Sequence, residues 1–597
     1  MKGARQAAWL GIVPGVCAAV AAGLSAAHIE DVADAAHDAG VARSLGLDPQ
    51  PWGALDAAVA ALFAWAPVGT LAARAAMGQA LVVGAAAAVL YGLARRLLSA
   101  CADAPRTGAV VALIGTFTAV LGPAWQLEGS APAGSTLGAL LVLLPLALLV
   151  DADGGGVRPP WRAAVFVLAL AFGQDPLGGI AGLAACAVLV LSGRSSRQRL
   201  RGAWQSDGRA LVACALAGLA PLLLAIARTR AAGGALEAAM VGWTAAERGL
   251  SGAGPPGAFA ARELGAVMGV LAIGGAVLAL LVARARALGA ALVVLAGLGL
   301  SSGWAGSALG PSRFGAPVLA AVGAACLLAG ASMQALVRAI AEAKLPLARA
   351  SAAMVLVLEM VAPVDAADEG LRRGADRTRG GGASPESPAG AWDEIAWGSL
   401  PPRSLVLVTD ARIWRRALSA RATGALRGDV GVVPTFARGV LAGRFLSRDA
   451  ALVPLWRDLA LSGAPTEASL SGLASSRPLL TAFEPAWGRA LGKHLVPAGL
   501  FDRFEPEPRG ASDRRKALEA FTPQRERLAR AVVRDLELAD AAAVLLRQRV
   551  LDLASSGDRE LLGRAVADLD AFAPGDRVGS EVVERLVMGK DAGSGAR

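Results

Sequence analysis

Cysteine is scarce in this sequence of 597 residues, and the five that occur all lie in or beside apolar segments: Cys17, Cys101, Cys186, Cys214 and Cys326. Their spacing supports neither a disulfide framework nor a cysteine-bound metal. P-loop and HExxH motifs are also absent, so nothing in the sequence favours ATP-driven transport or zinc hydrolysis. Gly299–Gly303 fits GxSxG but lies in an apolar segment, which predicts a packing role for Ser301.

Long apolar runs fill the sequence from Met1 to about Val364. A helix needs roughly 20 mostly apolar residues to cross a bilayer. Ala7–Ala27, Arg74–Ala94 and Glu263–Ala283 meet this length with almost no internal charge. The sequence therefore predicts a mainly α fold, with a polytopic transmembrane helical domain of about 11 helices over residues 1–365.

The apolar runs stop after Val364, where a Gly- and Pro-rich stretch predicts a flexible linker over 366–391. Short aliphatic runs bounded by turn residues then predict strands of a soluble α/β domain over 392–510. These runs are Leu405–Val408, Val430–Val433 and Pro478–Thr481. Apolar residues spaced by three and four positions predict a helical C-terminal region over 511–597.

The net charge of +10 comes largely from arginines in short loops between apolar segments. Because cytoplasmic loops are enriched in Lys and Arg, this pattern predicts a cytoplasmic N-terminus and an extracytoplasmic C-terminal domain, in the cell inner membrane. Nucleic acid is not an expected partner. The densest basic run of the membrane half is Arg194, Arg197, Arg199 and Arg201. Arg228 and Arg313 fall on the outer face instead, where they bind a lipid phosphate or simply anchor in headgroups.

The first predicted outer loop concentrates acidic residues, among them Glu30, Asp31 and Asp34. Carboxylates of this kind act as general bases, and a solvated loop that helps to set topology is the alternative. Asp175 ends an apolar helix, where an acid is costly in lipid. It is either functional or a residue at the water interface beside Pro176. No metal-ligand cluster stands out, and the use of a divalent metal stays open.

Several separated segments resemble, in order, a bacterial membrane-protein family related to the eukaryotic transmembrane protein 260 O-mannosyltransferase, of the GT-C glycosyltransferase superfamily. Gly122–Gln126 is similar to its SPxFWxQ element and Phe172–Leu177 falls where its GNHLT element stands. The other matching segments are Gly40–Ala42, Asp48–Trp52, Ala66–Gly69 with Arg74, Arg228, Arg313–Pro317, Leu400–Pro402, Arg427–Val430, Arg477–Leu479 and Leu495–Leu500.

The resemblance implies transfer of a sugar from a polyprenyl-phosphate carrier to an extracytoplasmic protein or glycan. Asp31, Asp34 and Glu30 would then be the catalytic acids, and Arg228 and Arg313 would bind the donor phosphate. Membrane lipid and the lipid-linked sugar are the implied partners, and no further cofactor is expected.

The sequence departs from the family at two elements. Ala133 stands where the family has an acid, and Asp175 replaces a histidine. Asp31 and Asp34 match the acidic motif only with an alignment gap; without the gap, His28 and Asp31 match it. A catalytically degenerate membrane scaffold of the same fold is therefore the second function that the sequence leaves open.

Overall fold

Most of the chain is described by the computed structural model, in segments that leave gaps between them. The described residues are 2–26, 54–64, 66, 71–101, 105–130, 135–150, 160–231, 256–302, 315–342, 368, 388–410, 413–414, 416–417, 420–421, 424–435, 445–447, 449–482, 491–532, 536–556, 559–574, 576, 578 and 581. They fall into two compact units. One contains most of the helices up to Glu342, and the other contains the described residues from Pro388 onward.

The N-terminal unit is a bundle of helices built from the apolar runs. In chain order these are α1 Lys2–Ala26, α2 Ala54–Ala64, α3 Leu71–Cys101, α4 Pro105–Leu121, α5 Pro123–Gly129, α6 Thr136–Val150, α7 Trp161–Gln174, α8 Pro176–Ser192, α9 Arg194–Ala231, α10 Pro256–Leu281, α11 Arg286–Ser302 and α12 Ala316–Glu342. The predicted mainly α class is confirmed, and the end of the predicted helical domain, residues 343–365, lies outside the described residues.

Four of these helices are long and apolar enough to cross a membrane, namely those containing Ala76–Cys101, Ser196–Leu224, Leu264–Leu281 and Ala316–Ala339. Six shorter apolar helices pack with them. Exposed apolar side chains line the outer surface of α10, where Val267, Val270 and Ile273 are each 69% exposed. Such a surface suits lipid rather than water, and the chain is a multi-pass membrane protein.

Helix α12 is the centre of the bundle, because 94% of its most apolar 18-residue stretch is buried inside the protein. Its neighbours approach it closely at glycines. A Cβ at Gly275 of α10 or at Gly299 of α11 would overlap the carbonyl oxygen of Leu328 or Pro317. Small residues at helix contacts let backbones approach in this way. The segment that matches GxSxG begins in helix α11, and the side chain of Ser301 lies outside what the structure describes.

The C-terminal unit contains a five-stranded sheet in the order β2-β1-β3-β5-β4. The strands are β1 Leu405–Val408, β2 Gly431–Pro434, β3 Leu479–Thr481, β4 Leu495–Ala498 and β5 Phe501–Phe504. Strand β1 pairs in parallel with β2 and β3, and β5 pairs in antiparallel with β3 and β4. The helices of this unit are α13 Pro388–Asp393, α14 Val453–Ser462, α15 Glu467–Ser476, α16 Ala511–Val532, α17 Leu536–Ser556 and α18 Arg559–Asp570.

Successive residues of β1 point to opposite faces of the sheet, so each face has its own core. Val406 and Val408 join a cluster with α16, α17 and α18. Leu405 and Leu407 join a second cluster with α14 and α15. The predicted α/β domain and the helical region after it are thus layers of one compact unit.

Candidate functional site at one end of the bundle

The structure does not describe the predicted catalytic acids Glu30, Asp31 and Asp34, nor does it describe Arg313. Arg228 lies in helix α9, but its side chain is also outside what the structure describes. The assignment of these five residues therefore stays a prediction. Their loop is bounded by described helices, since α1 ends at Ala26 and α2 begins at Ala54.

A buried polar cluster lies where α2 contacts the bundle. It consists of Asp56, Gln79, Thr136 and Gln174, one residue each from α2, α3, α6 and α7, and all four are buried. Polar side chains are costly inside a membrane protein unless they bond to one another. This group is called the Asp56 cluster below.

Hydrogen bonds join every member of the Asp56 cluster. Gln79 Nε2 donates to Asp56 Oδ1 at 2.8 Å, and Gln174 Nε2 donates to Asp56 Oδ2. Thr136 Oγ1 donates in turn to Gln79 Oε1. The backbone N–H of Leu55 donates to Gln174 Oε1 at 3.2 Å. The two amides therefore hold the short helix α2 to α3 and α7.

Asp175, next to the Asp56 cluster in sequence, caps helix α8. Its Oδ1 accepts from the N–H of Gly178 at 2.9 Å, which satisfies a free donor in the first turn of α8. Its Oδ2 accepts from the N–H of Ala316 at 3.0 Å, at the start of α12. The Asp175 carboxylate thus joins the N-termini of two helices, which accounts for an acid at this position without a catalytic role.

Two further buried contacts complete this end of the bundle. Glu128 Oε2 accepts from the N–H of Ser135 at 2.9 Å and so closes the connection between α5 and α6. Trp125 Nε1 donates to the carbonyl oxygen of Leu319, in the first turn of α12, at 3.0 Å. Glu128 and Trp125 are both fully buried.

Two described segments with a sequence resemblance to the glycosyltransferase family contact the start of helix α12. Trp125, from the SPxFWxQ-like segment, contacts α12 just after Gly315–Pro317. Asp175, from the GNHLT-like segment, contacts the same turn. Arg74 Nη1 donates to the carbonyl oxygen of Ala66 at 2.9 Å, joining both parts of another matching segment. The structure therefore brings together motifs that are far apart in sequence.

Sequence reasoning did not single out Asp56, Gln79, Gln174 or Glu128. The available signal was the presence of polar residues in or beside apolar helices, since such residues mark functional or tightly bonded positions. Among the described residues, no group of three or more His, Cys, Asp and Glu side chains is placed to hold a metal ion.

The C-terminal unit contains a second buried polar group, of ionic character. Arg549 Nε lies 2.8 Å from Asp502 Oδ1, and both side chains are almost fully buried. Asp552 lies near this pair, one turn further along α17. Burial, reinforced by the negative charge of Asp502, raises the pKa of Asp552 to about 8, although Arg514 and Arg549 oppose the shift. Asp552 is therefore mostly protonated at neutral pH.

No family model matches the chain, and no curated protein matches it. The chain is similar to two crystal structures of the Archaeoglobus fulgidus oligosaccharyltransferase. One is tethered by a disulfide to an acceptor peptide containing the NVT sequon. Its sequence identity to this chain is 12%, the match covers 83% of this chain and 74% of that chain, and the TM-score is 0.46. The other is the apo form, with 12% identity, coverage of 82% and 74%, and a TM-score of 0.45.

Proposed function

We propose that the protein is a membrane glycosyltransferase of the GT-C type, which transfers a sugar from a polyprenyl-phosphate carrier to an extracytoplasmic protein or glycan. The observation that carries this proposal is the meeting of separated motif segments at one end of the bundle. Trp125 and Asp175 reach the first turn of α12 from sequence positions 194 and 141 residues away. Their shared position at the start of α12 supports a common role for the two segments.

In the proposed reaction, an acid of the first loop takes the proton of the acceptor hydroxyl as its oxygen attacks the anomeric carbon. Asp31 and Asp34 are assigned to this step, with Glu30 as the third available carboxylate. The carrier phosphate leaves with the bonding electrons, and Arg228 and Arg313 stabilise its charge. The Asp56 cluster supports this arrangement because it fixes α2, which begins directly after the acidic loop.

The test is transfer of radiolabelled sugar from a panel of polyprenyl-phosphate sugars in membranes that contain the protein. We expect product with wild type and a loss of at least about 100-fold in the Asp31→Asn, Asp34→Asn double variant, since a general base contributes roughly that much. Asp38→Asn removes an acid of the same loop and should retain activity. Unchanged transfer in the double variant, at equal membrane insertion, would remove the assignment of these residues.

The second candidate function is a non-catalytic membrane scaffold of the same fold. The observation that favours it is that Asp56, Glu128 and Asp175, the acids described at this end of the bundle, all accept structural hydrogen bonds. Absence of product from every donor, with the protein correctly inserted, would favour this scaffold over the enzyme.

A further inference from the structure

Helix α9 presents an exposed ridge of basic residues before it becomes apolar. Arg197, Arg201, Gln205 and Arg209 recur every four residues, and all four are exposed. Side chains four positions apart lie on one side of a helix, with Cβ atoms about 5–6 Å apart. These four residues are called the arginine ridge. Trp204 lies beside the ridge and is 60% exposed.

The charges of the ridge are not paired within the part of the chain that the structure describes. Within the described part of the chain, the three arginines of the ridge have neither a hydrogen-bond acceptor nor an ion-pair partner. The opposite side of α9 carries buried Ser196 and Leu211, so the helix packs on the protein through that side. The ridge therefore faces outward as an uncompensated positive surface.

The ridge continues directly into a surface suited to lipid. Val212 is 48% exposed, Leu216 is 56% exposed and Leu223 is 51% exposed, and they extend the same side of α9. Because Arg209 precedes Val212 by three residues, it lies about 4.5 Å along the helix axis from the apolar surface. Arginine and tryptophan at this position are typical of the headgroup layer of a bilayer.

This layer is at the opposite end of the bundle from the Asp56 cluster. Arg162, in the first turn of α7, forms an ion pair with Asp207 of α9 at 2.9 Å. Gln174, at the other end of α7, belongs to the Asp56 cluster. A helix of 14 residues is roughly 21 Å long, so the ridge is separate from the proposed catalytic end.

We propose that the arginine ridge and Trp204 form a binding surface for the headgroups of anionic phospholipids. The positive charge of the ridge complements the phosphate, the indole of Trp204 lies among the headgroups, and the acyl chains cover Val212 and Leu216. Basic residues beside a membrane-spanning helix attract anionic lipid with about 1 kcal/mol each. The proposal is independent of the proposed glycosyl transfer.

The test counts the lipids retained by the full chain in nanodiscs made from equal amounts of phosphatidylglycerol and phosphatidylcholine with the same acyl chains. We expect wild type to retain more phosphatidylglycerol than phosphatidylcholine by native mass spectrometry. The Arg197→Gln, Arg201→Gln, Arg209→Gln variant should lose about fivefold or more of that ratio, the equivalent of one arginine at the surface.

The matched control removes the same charge from exposed arginines of the C-terminal unit, as Arg457→Gln, Arg530→Gln and Arg559→Gln, and should keep the wild-type ratio. Lysine at the three ridge positions should keep most of it. Wild type in high salt should lose the preference because salt screens exposed charges, and this measurement needs no variant to fold. A ridge variant that keeps the wild-type ratio, or a control that loses the ratio equally, would overturn the proposal.

Discussion

Two buried aspartates, Asp56 and Asp552, are stabilised in different ways. Asp56 accepts hydrogen bonds from the neutral amides of Gln79 and Gln174. Burial, reinforced by the negative charge of the nearby Asp502, raises the pKa of Asp552 to about 8. Hydrogen-bond donors satisfy the carboxylate of Asp56, whereas the raised pKa keeps Asp552 mostly protonated at neutral pH. Their substitution should therefore have different effects.

Replacing Asp56 by Ala should lower the free energy of unfolding by roughly 2–5 kcal/mol, because two buried amides lose their acceptor. Asp56→Asn keeps the shape and one acceptor oxygen and should cost less. The thermal midpoint of the detergent-solubilised protein measures both effects. Equal midpoints for wild type and Asp56→Ala would show that the cluster does not hold α2.

Asp552 should make the C-terminal unit less stable as pH rises. Its pKa is about 8 when folded and near 3.8 when exposed, so between these values the folded chain binds more protons than the unfolded chain. The free energy of unfolding then falls with rising pH across this window, by at most about 1.4 kcal/mol per pH unit. Asp552→Asn cannot ionise and should unfold at higher denaturant than wild type at pH 9.

The same comparison at pH 5 supplies the control. This pH is only slightly above the unfolded pKa of 3.8, so little of the destabilisation has developed and the variant should gain much less than at pH 9. An equal gain at both pH values would show that Asn stabilises by packing and that titration of Asp552 is not responsible.

Residues such as Gln79 show what sequence alone leaves undetermined at this scale. The sequence identifies an apolar helix around Gln79, but its partner Asp56 lies 23 residues away, and Asp56 also accepts from Gln174, 118 residues further along the chain. Pairings of that kind depend on how helices pack, which periodicity does not encode. Asp175 could be recognised as a costly acid, yet its contact with Ala316 depends on the placement of α12.

Among the helices, the contact between α10 and α12 should be the most sensitive to added volume. A Cβ at Gly275 would overlap the Leu328 carbonyl, so Gly275→Ala should force the helices apart and cost on the order of 1–3 kcal/mol. Gly269→Ala, in the same helix, meets no atom within 4 Å and serves as the control. The thermal midpoint should fall for the first variant and stay level or rise for the second.

Strands were predictable where apolar runs were continuous, and not elsewhere. Strands β1, β2 and β3 follow from aliphatic, β-branched runs between turn residues, as expected for buried parallel strands. Strands β4 and β5 were not predicted, since Pro497 interrupts the first and the charged Asp502 and Arg503 occupy the second. They form a hairpin because Gly499, with a φ of 71°, allows the tight turn.

For the whole chain, the predicted linker over 366–391 leads to a proteolysis experiment. Arg372, Arg373, Arg377 and Arg379 are the trypsin sites in this segment. Brief digestion in detergent should produce one fragment for each compact unit before other cuts appear. The variant with Gln at all four positions should remain intact under the same conditions. Early cleavage inside either unit would contradict a linker at this position.

The central position of α12 has a consequence for biogenesis. Trp125 and Asp175 are synthesised long before their partners Leu319 and Ala316, which follow 194 and 141 residues later. At about 5–20 residues per second, the ribosome needs roughly 7–40 s to supply those partners. During that interval the earlier helices lack the helix that fills the groove between them in the folded protein. A nascent chain of this protein therefore needs lipid, or an insertase that shields polar side chains, to occupy the groove until α12 emerges.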